Sequence, residues 1–142
     1  MRNHIKAICV CVFLGGTLLS AQSRVVATVP FDFVVRNHLL PAGVYSISVD
    51  AERNAVLIRG EEANAIFALT HAAQSGTIGT DAKLVFKRYG DRYFLSQVWP
   101  AATDQGRQLP ASKMEKELAR KVGKPEVVAV LVGGTKVPRA AR

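Results

Sequence analysis

The stretch Leu84-Val85-Phe86-Lys87-Arg88-Tyr89-Gly90-Asp91-Arg92-Tyr93-Phe94-Leu95-Ser96-Gln97-Val98-Trp99 decides the fold. Two runs rich in aromatic and branched residues flank Gly90-Asp91, the composition of two strands joined by a two-residue primed turn. With that turn, Tyr89 opposes Arg92, Lys87 opposes Phe94 and Phe86 opposes Leu95. Side chains alternate across a strand. Leu84, Phe86, Arg88, Tyr93 and Leu95, with Trp99 at the end, therefore form the expected inward face. Lys83, Val85, Lys87, Tyr89, Arg92, Phe94 and Val98 form a second, mixed face.

Upstream of the hairpin the period of two continues. Val25, Ala27, Val29, Phe31, Phe33 and Val35 share one face of a run that Pro30 divides, because proline cannot donate to a sheet ladder. Leu40-Pro41-Ala42-Gly43 is a turn, and Tyr45, Ile47 and Val49 then alternate with Ser46, Ser48 and Asp50. Ala55–Ile58 and Ala65–Leu69 are short apolar runs at meander spacing. Gln74–Asp81 reads as a loop, and so does Pro100–Pro110.

Downstream, Ser112 followed by Glu115 is a capping box, so a helix is expected near 112–122. Met114, Leu118 and Val122 supply a thin apolar stripe, and Glu117 with Lys121 a favourable pair four residues apart. Glu126–Val132 is a nearly continuous apolar strand, suited to a central or closing place in a sheet. The expected fold is mainly β: a small barrel or sandwich of about seven antiparallel strands with one helix in the C-terminal half. Barrel-like closure is preferred because the last strand is so apolar.

The other end of the chain has a different character. Arg2, His4 and Lys6 precede an uncharged apolar run from Ala7 to Leu19, followed by the small residues Ser20-Ala21. That order is the order of a secretory signal, with cleavage after Ala21 as the first choice and after Ser23 as the second. The expected organisation is a signal peptide at 1–21, a single β-domain at 22–132 and a flexible basic tail at 133–142. Export to the periplasm or beyond follows, with no transmembrane span after cleavage. Cys9 and Cys11 would leave with the signal, so a disulfide framework, a thiolate metal site and a cysteine nucleophile are all excluded.

The segments Val29-Pro30-Phe31-Asp32-Phe33, Leu40-Pro41-Ala42-Gly43-Val44-Tyr45, Leu84–Leu95 and Gly106-Arg107-Gln108-Leu109-Pro110 together resemble a group of small secreted bacterial β-proteins of uncharacterised function. The resemblance implies an exported β-protein and brings no catalytic residue with it.

Catalytic chemistry finds little support. His71, Ser75 and Asp81 are the best triad on offer, but their order matches none of the common arrangements and no G-x-S-x-G elbow exists. His38 and His71 are too isolated to form a ligand cluster. No catalytic residue, metal or cofactor is assigned, and a hydrolase is the third choice of function. What remains is charge. The formal net charge is +8. Residues 22–104 balance eight basic against eight acidic side chains, whereas 105–142 hold nine Lys and Arg against three Glu.

Two candidate sites follow. The mixed hairpin face offers Lys83, Lys87, Tyr89, Arg92 and Phe94 to an anionic or ring-bearing ligand. The helix region offers Lys113, Lys116, Arg120, Lys121 and Lys124 to an acidic envelope component or protein partner. Nucleic acid does not suit an exported chain, and the oligomeric state stays open. The expected function is a non-enzymatic binding or structural module of the cell envelope. The alternative is a small barrel carrying an apolar ligand on Phe31, Phe33, Phe86 and Leu95.

Overall fold

The alternation that opens at Val25 is used across two sheets. In the computed structural model, which describes residues 22–62 and 65–132, β1 (Gln22–Val29) buries Val25, Ala27 and Val29. The chain then leaves its sheet at Pro30–Asp32, and β2 (Phe33–Val35) continues in the other sheet. Pro30 thus marks a crossover. The elements that follow are β3 (His38–Leu40), β4 (Gly43–Asp50), β5 (Ala55–Arg59), β6 (Ala65–Leu69), β7 (His71–Gly79), β8 (Lys83–Tyr89), β9 (Arg92–Trp99), β10 (Thr103–Gln108), α1 (Lys113–Val122) and β11 (Glu126–Leu131). The expected signal peptide with both cysteines, and the tail at 133–142, lie outside the described residues.

The first sheet has the order β1-β4-β5-β6 and is antiparallel throughout. The second has the order β11-β8-β9-β10-β7, with β2 pairing parallel to the early part of β9 and β3 pairing with β2. One core joins them, including Val29, Ile47, Ile58, Leu84, Phe86, Leu95 and Val98. The described residues form a two-sheet stack of eleven strands, not about seven, with α1 laid on the outside of the second sheet; among them no barrel closes and not every pair is antiparallel. β11 is an edge strand beside β8, not a central or closing one. Its Val127 faces out, and the apolar run reflects packing on β8 and towards β1.

The hairpin forms with the expected turn and pairing. Gly90 sits at φ 64, the left-handed geometry that a primed turn requires at its first central residue. Its face assignment changes past Leu95. Val85 pairs with Gln97 and Phe86 with Leu95, which leaves Ser96 unpaired as a β-bulge. One extra residue reverses the alternation, so Val98 joins the core and Trp99 takes the sheet's other face, where it stays buried, the opposite of the plain period-two reading. Trp99 then lies flat over Gly106, where a Cβ would stand 2.6 Å from the indole.

The two expected loops also prove to be strands. β7 and β10 pair with each other, Gln105 with Gln74 and Gly106 with Ala73. They consist largely of Gln, Ser, Thr, Gly and Ala, so they carry no apolar alternation by which a single strand can be recognised. Backbone pairing holds them, with a register irregularity between Thr103 and Gln105. Arg107 ties this ribbon to the opposite sheet, donating to Asn54 Oδ1 at 2.9 Å and Ala51 O at 3.0 Å.

Helix α1 begins as the capping box requires. Ser112 Oγ accepts from Glu115 N–H at 3.2 Å, and the Gly123 N–H closes the far end on Ala119 O. Met114, Leu118 and Ala119 pack on Val34, Tyr89 and Phe94, while Val122 falls off the stripe and is exposed.

Candidate functional site

The mixed hairpin face does not stay open to a ligand as a unit. Tyr89 and Phe94 meet edge to face at 5.7 Å and are buried beneath α1. The Tyr89 hydroxyl donates to Glu115 Oε1 at 3.1 Å, which turns the helix's first-turn carboxylate inward. Burial, and next the Glu115 charge, push the Tyr89 phenol above its ordinary value. Arg92 reaches across to Met114 Sδ at 3.6 Å. Lys83 lies 5.6 Å from the Trp99 ring centre, whose Nε1 donates to Gln97 Oε1 at 2.9 Å. Lys87 sits between them on β8, paired with Phe94 and Val127. The five residues share one sheet face, but their rings pack against protein.

The basic set on α1 is presented differently. Lys113, Lys116, Arg120, Lys121 and Lys124 are all exposed. Among the described residues the ion pairs are Asp50–Arg53 and Arg88–Glu126, so none of the five is neutralised by a neighbour. The expected Glu117–Lys121 pair does not form. With Glu115 committed to Tyr89, the outer surface of α1 carries an excess of exposed cations.

The segments quoted for the resemblance build structure. Asp32, between Phe31 and Phe33, uses Oδ1 to accept the Ala42 N–H at 2.9 Å, and the Tyr45 hydroxyl donates to Pro41 O. Burial chiefly, then Asp32 and Glu62, raise the Tyr45 phenol. Phe31 stacks on Tyr93 at 3.8 Å and meets Phe86 at 5.0 Å, and Phe33 meets Phe86 at 5.4 Å. Together with Leu95 these rings fill the space between the sheets, so at these four residues the interior is side chain and not a ligand cavity. His71 and Ser75 lie four residues apart on β7, a separation of about 13 Å along an extended strand. That is beyond a hydrogen bond or one bridging water. No group of metal-ligating side chains occurs among the described residues, and no helix there is long and apolar enough to cross a membrane.

One feature escaped the sequence reading. A cleft of about 450 Å³ lies between β3 and β6, lined by Arg36, His38, Leu39, Leu40, Ala65, Ile66 and Phe67. The signal for it was present in Ala65-Ile66-Phe67-Ala68-Leu69, a strand without charge or proline. Only the topology shows that this strand is an edge. Comparison of the chain with family models, curated proteins and solved structures gives no match.

Proposed function

We propose that this chain is an exported, non-enzymatic binding or structural module that meets an acidic component of the cell envelope through the exposed face of α1. The observation that carries the reading is the unpaired state of Lys113, Lys116, Arg120, Lys121 and Lys124 beside a carboxylate turned inward to Tyr89. A helix that merely needs solubility gains from interspersed signs of charge. Here the net cation is concentrated on the layer farthest from the first sheet. The export part of the reading rests on the basic, apolar and small-residue order of residues 1–21.

Such contact is electrostatic and salt-dependent. Each Lys or Arg at an anionic surface contributes about 1 kcal/mol. Replacing Lys113, Lys116, Arg120 and Lys121 with Gln is expected to weaken retention on envelope fractions at low salt by at least about tenfold. Sedimentation with phosphatidylglycerol vesicles should fall in parallel. Unchanged retention of a folded variant refutes the reading.

A further inference from the structure

β6 ends the first sheet, away from α1, and its outer edge is open among the described residues. Thr70 N–H donates to Asn54 O at 2.7 Å. Alternation along an antiparallel ladder then turns the backbone groups of Ala68 and Ile66 towards β5, and those of Leu69, Phe67 and Ala65 away from it. The Arg36 guanidinium confirms that polarity, reaching Phe67 O at 3.2 Å from the other side. Among the described residues no strand pairs with this edge. Phe67 is 50% exposed, Leu69 63% and, across the cleft on β3, Leu39 69%. Edges are normally blunted by charge, proline or a covering element. Among the described residues, the tip of Arg36 is what reaches β6.

The charges around the cleft select the occupant. Among the described residues Arg36 and His38 are its ionisable lining groups, and no carboxylate lines it. Two copies paired through β6 would bring Arg36 and His38 close to their own counterparts. The chain's own tail does not fit either, since residues 133–142 carry Lys136, Arg139 and Arg142 and no acid. We propose that the β3–β6 cleft binds an extended acidic peptide segment of a partner protein, in which large apolar residues alternate with carboxylates, by strand addition to the free edge of β6. A peptide N–H takes over Phe67 O, which frees Arg36 to pair with a peptide carboxylate. The apolar set lies over Phe67 and Leu69, and the acidic set turns to Arg36 and His38. Main-chain bonds supply affinity and the alternate side chains supply selectivity.

The test is titration of the folded chain with the blocked hexapeptide acetyl-Val-Glu-Val-Glu-Val-Glu-amide, followed by amide hydrogen exchange. Saturable binding should slow exchange at Ala65, Phe67 and Leu69. Methylating the peptide nitrogens that face the edge should weaken binding about tenfold or more. Arg36→Glu, an exposed turn substitution, should weaken it similarly and favour the corresponding Val-Lys peptide. The Lys113, Lys116, Arg120 and Lys121 to Gln variant should bind unchanged, which separates this cleft from the helix. Equal binding of the methylated peptide, no protection on β6, loss of binding in the helix variant, or a concentration-dependent dimer through this edge would each overturn the proposal.

Discussion

Two parts of the second sheet are built on opposite principles. The β8–β9 hairpin carries Phe86, Leu95 and Val98 into the core on one face and Tyr89 and Phe94 under α1 on the other. The β7–β10 ribbon has comparable backbone pairing but mostly small or polar side chains, with nearly all of β7 exposed. Beyond a short pairing with β9 at Arg107–Val98 and Gln108–Gln97, its attachments are few and specific: Trp99 over Gly106, Arg107 onto the 51–54 turn, and the Leu109 N–H donated to Ser96 O at 2.8 Å. The difference teaches that burial makes one part obligatory, whereas point contacts hold the other in place.

The contrast can be broken from the hairpin side first. Phe86→Ala empties the place where the Phe31 and Phe33 rings meet, and should cost about 3–5 kcal/mol in a urea midpoint measurement. Such a loss should unfold both sheets together. Gly106→Ala is expected to cost about 1–3 kcal/mol, because the indole must move as a whole to admit a methyl group. Here hydrogen exchange should rise in β7 and β10 before β8 responds. A uniform rise across the molecule would erase the distinction between the two parts.

Smaller effects sharpen it. Tyr89 and Tyr45 both have phenols raised above the ordinary value, so the neutral form is the one the fold favours. Their contribution is complete below about pH 10 and is lost as pH rises through the higher folded values. Alkaline unfolding should therefore begin above about pH 10 and lose part of its slope in Tyr89→Phe. At the bottom of the scale, Ile78→Ser on the ribbon should change stability by no more than about 0.5 kcal/mol, since that side chain is already in solvent.

The hairpin, its turn, the divided first run and the capped helix were all legible in the sequence, because each announces itself through local chemistry. Gly90 must be permissive, Ser112 must accept a backbone N–H, and Val25, Ala27 and Val29 must face one way. β7 and β10 were not legible, since polar strands are defined by the partner they find. The reversal at Trp99 was hidden for a related reason: a bulge is a property of a pair. For the candidate sites, composition located the α1 cations. It also grouped the mixed hairpin residues on one face, but could not foresee that α1 would cover Tyr89 and Phe94. The β6 edge needed the strand order.

Ser96 gives β9 something like a reading frame. On its first half the strand is in phase with β2 and the aromatic core, and on its second half with β10, Val98 entering the core and Trp99 covering Gly106. The extra residue stands where one neighbour hands over to the other. Many residues at position 96 would preserve the count, but deleting that position would not. A one-residue deletion would bring the Trp99 indole to a core place shaped for Val98 and withdraw the lid from Gly106. At this point the length of the strand carries information that its composition does not.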